Sequence, residues 1–144
     1  MCIRDSSLAA LAGEATQVDS IDISEKAIKL GDLNVGLNFP NEDRHQSITA
    51  DVMEWLKTCP SDHYDVIVVD PPAFAKSQNK KHNAVLAYKR LNASAIKAVK
   101  KGGFILTFSC SQVVDTELFI HTIRSAAIEV RREVKILKLS LIHI

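Results

Sequence analysis

Long hydrophobic runs are missing from this chain. None approaches the roughly 20 apolar residues that a membrane-spanning helix needs, and the opening residues lack the hydrophobic stretch of a secretory leader. No membrane association is expected, and the cytoplasm is the expected compartment. Cysteine is scarce: Cys2, Cys59 and Cys110 are too few and too scattered for a disulfide framework or a metal cluster, so reduced thiols and no metal are expected. Charge of one sign is lacking too. A net charge of +1 exerts no general pull on a polyanion, and contact with nucleic acid has to come from a local patch or from another part of the protein. Repeats and low-complexity stretches are absent. What remains is 47% apolar and 24% charged, the balance of a globular domain rather than a disordered or fibrous chain, and 144 residues give room for one domain at most.

Short β-rich runs alternate with amphipathic segments, the order that yields parallel strands joined by helical crossovers, so the expected class is α/β. A first strand is predicted over residues 17–22, then a helix capped by Ser24 with Ala27, Leu30, Val35 and Leu37 on or near one face. A short strand over 46–49 precedes a helix over 52–57 that stops at Pro60. Residues 64–69, YDVIVV, are the clearest strand, because a continuous β-branched run predicts burial on both faces near the sheet centre. Residues 70–83 read as a polar loop opened by two prolines. A long helix through Ala84, Tyr88, Leu91, Ala95 and Ala98 follows, and Lys100-Lys101-Gly102-Gly103 reads as its cationic last turn and glycine stop. A second buried strand is predicted over 104–109. Asp115 then caps a final helix with Phe119, Ile123, Ala127 and Val130 aligned, and residues 133–138 alternate as a strand.

In open α/β sheets ligands bind beyond the carboxyl ends of the strands, and three strand ends here are acidic or nucleophilic. Asp22 ends the first strand, where a carboxylate can accept bonds from the hydroxyls of a nucleoside ribose; a lone acid there is more often a loop or capping residue. Asp51 follows the next strand and could accept from an adenine amino group, although capping the following helix explains it equally well. The stronger signal is VVDPPAF, residues 68–74: two prolines stiffen a turn that presents the Asp70 carboxylate and Phe74 at a strand end. Amino-methyltransferases place an aromatic directly after [DN]PP to stack on a flipped base, but here Ala73 occupies that place. The second signal is FSCS, residues 108–111. If the two strands are neighbours, about 4.8 Å apart, Asp70 and Cys110 reach one cleft, and Cys110 becomes a candidate nucleophile rather than a small buried hydrophobe.

With VDSIDIS, NVGLN, DVIVVDPPAFAKS and GGFILTFSCS, residues 8–137 resemble the class I methyltransferases related to large-subunit ribosomal RNA cytosine-C5 methyltransferases. The resemblance implies a Rossmann-like core with a mostly parallel sheet, S-adenosylmethionine as cofactor and ribosomal RNA as substrate. It implies that Asp22 holds the cofactor's ribose and Asp51 its adenine, that Asp70 lies near the methionine moiety and the target base, that Pro71, Phe74 and Lys76 face the substrate, and that Cys110 is the catalytic thiol. The chemistry suits those residue types: carbon 5 of cytosine is a poor nucleophile until a thiolate adds at carbon 6, and Asp70 could favour the charge that builds on the ring.

The family's first strand and glycine-rich loop are expected before Leu8 and its last strand after Leu137, so residues 7–138 are expected to form a partial catalytic domain. Residues 1–6 (MCIRDS) and 139–144 (LSLIHI) resemble translated adapter sequence and are expected to be non-native ends. A strand absent from between the strands at 17–22 and 64–69 predicts either a split sheet or a displaced pairing. The rival readings are an amino-methyltransferase acting on nucleic acid or protein, for which Cys110 is dispensable, and a non-catalytic Rossmann-like fragment.

Overall fold

The structure, a computed structural model, describes residues 5–140. The chain divides into two compact units, Met1–Thr58 and Cys59–Ile144. Each contains one parallel two-stranded ladder, and no ladder joins the two pairs among the described residues. The class is α/β. No described helix is long and apolar enough to cross a membrane.

In the first unit α1 (Asp5–Ala12) precedes β1 (Val18–Asp22), α2 (Glu25–Asn38), β2 (His45–Thr49) and α3 (Val52–Thr58). The helix α2 starts at Ser24, whose extended backbone lets its hydroxyl accept from Ala27 N at 3.3 Å. It is the crossover between two parallel strands paired from Val18↔His45 to Asp22↔Thr49. Its buried residues are Ile28 and Val35, one heptad apart on the same stripe. Leu30 and Leu37, expected on that face, are 47% and 71% exposed. Two residues past Ile28 or Val35 is about 200° round the helix, and a two-stranded ladder covers only a narrow stripe. Polar side chains tie the unit together: Ser20 Oγ lies 2.7 Å from Ser7 Oγ and 2.9 Å from His45 Nε2, linking α1, β1 and β2. Arg44 donates to Glu42 Oε1 at 2.8 Å and to Ala15 O at 3.2 Å.

In the second unit β3 (Tyr64–Val69) pairs in parallel with β4 (Val99–Thr107), and α4 (Lys81–Ala98) crosses between them after a short 3-10 turn at Gln78–Lys80. The helix α5 (Thr116–Glu129) begins where Asp115 accepts from Leu118 N at 2.9 Å. Ala84, Tyr88, Leu91, Ala95 and Ala98 are all buried, as their spacing predicts. Where α4 and α5 pack, Ala93, Ile96, Ala126 and Ala127 form a cluster against which Ile105 of β4 rests.

Three expectations for this unit are corrected. Lys100 to Gly103 is not a helix stop: the helix already ends at Ala98, and these residues lie inside β4. The register jumps from Tyr64↔Val99 to Val66↔Phe104, so residues 100–103 bulge opposite Asp65. Gly102 has φ +81°, and a Cβ on Gly103 would lie 2.6 Å from Asp65 O. A glycine pair signals positive φ and close approach, which a helix end and a bulge share. Nor are β3 and β4 buried on both faces, since Val66, Val68, Phe104 and Leu106 are 42–55% exposed. The β-branched run reports strand propensity, and coverage depends on which elements pack above each face. Residues 133–138 form no strand; alternation needs a ladder partner to become one. Of the ends expected to be non-native, residues 1–4 and 141–144 lie outside the described residues, Asp5 and Ser6 belong to α1, and Leu139 and Ser140 are irregular.

Candidate active site

The β3–α4–β4 crossover makes the two motif-bearing strands direct neighbours, which meets the condition set for Asp70 and Cys110. The ladder closes at Val69↔Thr107 and extends by one bond, from Phe108 N to Val69 O at 2.9 Å. Beyond that point one strand continues into Asp70-Pro71-Pro72 and the other into Ser109-Cys110-Ser111. Neither proline can donate a backbone N–H to continue the ladder. An open recess of about 270 Å³ lies there, lined by Ala73, Ala75, Lys76, Cys110 and Gln112, slightly below the usual size of a ligand cleft. Cys110 is a free, exposed thiol.

Not every expected residue joins that recess. Lys76 and Cys110 both line it, whereas Asp70, Pro71 and Phe74 are not among its lining residues. The Phe74 ring packs edge-on against Tyr88, centroids 4.7 Å apart at 73°, and Tyr88 does the same against Phe119 at 5.4 Å and 83°. Much of Phe74 is therefore engaged in holding the loop to α4, and 37% of it remains exposed.

The structure adds two residues that the sequence reading did not place in the site. Ser111 is 4% exposed and Tyr88 is fully buried. The Ser111 hydroxyl accepts from Ala75 N at 3.2 Å and lies 3.0 Å from Tyr88 Oη. Tyr88 was placed in the core by its helical spacing, and Ser111 merely flanked the cysteine. A core tyrosine's hydroxyl requires a partner, and that requirement is the signal that could have paired them.

Asp22 and Asp51 belong to the first unit, where the β1–β2 ladder brings them together. Asp22 is in register with Thr49, and Ala50 N donates to Asp22 O at 3.1 Å. Asp22 Oδ1 accepts from Ser24 N at 2.7 Å. Asp51 Oδ1 accepts from Met53 N at 2.8 Å and Glu54 N at 3.2 Å, so the capping role weighed for Asp51 is realised. Two carboxylates on adjacent parallel strand ends, each orienting one oxygen with its own backbone, are acceptors of the kind that fits the hydroxyls and amine of a nucleoside. Among the described residues no His, Cys, Asp and Glu cluster could hold a metal ion.

No family model matches the chain. Similarity to curated proteins is extensive: the ribosomal RNA large subunit methyltransferase I of Escherichia coli strain HS and that of Shigella boydii serotype 18 are each 35% identical to it over 133 residues, 91% of this chain and 34% of the relative. The chain thus spans about a third of the length of the curated relatives it matches, and the matched stretch takes in both strand-end motifs of the candidate site.

Proposed function

We propose that residues 7–138 are part of the catalytic domain of an S-adenosylmethionine-dependent methyltransferase that modifies carbon 5 of a cytosine in ribosomal RNA. The observation that carries this reading is the placement of Cys110 and Lys76 on one recess at the ends of two neighbouring parallel strands, one of which runs into Asp70-Pro71-Pro72. The names of the similar proteins support the RNA substrate and the type of transfer.

In this reading Asp22 accepts bonds from the ribose hydroxyls of S-adenosylmethionine and Asp51 from its adenine amine. The cofactor supplies an electrophilic methyl group. Cys110, as the thiolate, adds through Sγ to carbon 6 of the cytosine, which turns carbon 5 into an enamine-like nucleophile. Asp70 bonds the ring nitrogen or exocyclic amine and favours the charge displaced onto the ring. Once carbon 5 carries the methyl, its proton leaves to a base and the Sγ–carbon 6 bond breaks, which regenerates the thiol. Pro71 keeps the Asp70 turn stiff, Phe74 presents its exposed edge to the substrate, and Lys76 brings a positive charge to the recess for the RNA phosphates.

The test is incubation with S-adenosylmethionine and ribosomal RNA containing 5-fluorocytosine, whose carbon 5 has no proton to lose. A covalent protein–RNA adduct that maps to Cys110 and vanishes in Cys110→Ala is expected. Methylation that survives Cys110→Ala would assign the chemistry to an amino-methyltransferase instead. Absence of any S-adenosylmethionine binding would leave a Rossmann-like fragment without catalysis.

A further inference from the structure

The recess is lined from two segments far apart in sequence, by Ala73, Ala75 and Lys76 of one and Cys110 and Gln112 of the other. A single hydroxyl joins them. Ser111, between Cys110 and Gln112 in sequence, accepts through Oγ from the Ala75 amide of the first segment at 3.2 Å and meets Tyr88 Oη at 3.0 Å. Tyr88 in turn is fixed: its backbone carbonyl accepts from Asn92 Nδ2 at 2.9 Å, and its ring is gripped edge-on by Phe74 and Phe119. Beside the cysteine turn the strand ladder ends at Thr107, extended only by Phe108 N to Val69 O, and beyond it the turn is anchored by Val114, buried with Ala75, Ala84 and Tyr88. Its own bonds are Ser111 N to Ser109 Oγ at 3.4 Å and Val114 N to Ser111 O at 3.0 Å.

We propose that the Tyr88–Ser111 hydroxyl pair is the positioning device of the candidate active site, fixing the Cys110 turn against the Ala73–Lys76 segment and so setting where the thiol stands. The pair touches no reacting atom. Tyr88 and Ser111 are positioning residues, and their function as such rests on the reading of Cys110 as the nucleophile. Both hydroxyls are buried, so neither finds water when its partner is removed; loss of either releases the bond between them, and loss of the Ser111 hydroxyl also frees the Ala75 amide. The released turn samples positions away from the recess, carrying the exposed thiol further into solvent.

Thiol alkylation reads this directly and needs neither cofactor nor RNA, so its result stands apart from the outcome of the adduct experiment. In the 144-residue chain, iodoacetamide labelling resolved by peptide mass spectrometry gives a rate for Cys110 with Cys59 as internal reference. Tyr88→Phe, Ser111→Ala and the double variant are compared with Thr122→Ala, which removes a buried hydroxyl that donates to Leu118 O within α5 and so reports general loosening. The Cys110 rate is expected to rise about fivefold in Tyr88→Phe, at least as much in Ser111→Ala, and no further in the double variant than in Ser111→Ala, since coupled partners are non-additive, with Thr122→Ala and Cys59 unchanged. Unchanged Cys110 rates, effects that multiply in the double variant, or an equal rise in Thr122→Ala would overturn the proposal.

Discussion

Gly103→Ala is expected to destabilise the second unit, and the structure gives the size of the effect. A Cβ at this position would lie 2.6 Å from Asp65 O, 2.8 Å from Val99 Cγ2 and 3.1 Å from Lys100 O. The first contact is about 0.8 Å short of ordinary van der Waals separation, and its partner is backbone held in the β3–β4 ladder rather than the end of a flexible side chain. Overpacking of this kind costs about 1–3 kcal/mol. For a unit of this size each kcal/mol lowers the melting temperature by roughly 4–8 °C, so a drop of about 4–24 °C is expected in thermal unfolding followed by circular dichroism. Two other glycines calibrate the result. Gly102→Ala meets open space but places alanine at φ +81°, at a cost of about 1–2 kcal/mol. Gly36→Ala also meets nothing within 4 Å and lies in the helix α2, where alanine is favoured by about 0.5–1 kcal/mol. Melting of Gly103→Ala at the wild-type temperature, or a Gly36→Ala variant as damaged as Gly103→Ala, would refute the account of the bulge.

Glu42 is held down to a pKa of about 2, first by the Arg44 guanidinium bond and then by the Arg44 backbone amide. Its contribution to stability is therefore complete above the ordinary glutamate value near 4.5 and lost as pH falls toward about 2; urea unfolding at a series of pH values should show that loss, and Glu42→Gln should abolish it. Asp51→Asn should keep the start of α3, since asparagine caps as well as aspartate, while Asp51→Ala should cost about 0.5–2 kcal/mol. Calorimetric titration should find S-adenosylmethionine binding weakened by roughly one to two powers of ten in both variants, and unchanged affinity in Asp51→Asn would reduce Asp51 to a cap.

What was legible in the sequence was local. The caps at Ser24 and Asp115 follow from residue type and position alone, and both form the bonds that their types predict. The inward face of α4 follows from 3.6-residue periodicity, and every residue assigned to it is buried. Coverage is not local. Nothing within YDVIVV says what lies above Val66 and Val68, and the run reads the same whether one face is covered or two. The exposed leucines of α2 make the same point: apolar type alone does not say which side of the helix the ladder covers. The KKGG segment misled because two backbone devices share one composition, and only the pairing partner, Asp65, distinguishes them.

The site divides along the same line. That the strands carrying the two motifs end side by side was legible, because a parallel pair joined by one helix must do so; which residues line the recess there was not, since it takes in Cys110 and Lys76 but not Asp70. The Tyr88–Ser111 bond required more: the rotation of α4 about its axis, the depth at which Tyr88 sits, and the side to which the chain turns after β4. Past the end of β4, Cys110 is exposed and its neighbour Ser111 is buried. On the function proposed for this site, the outward residue would react while the inward one anchors it to the core. A buried anchor next to an exposed thiol is also the arrangement that lets a nucleophile be accessible without being mobile, since positional accuracy comes from the rigid core rather than from the loop that carries it.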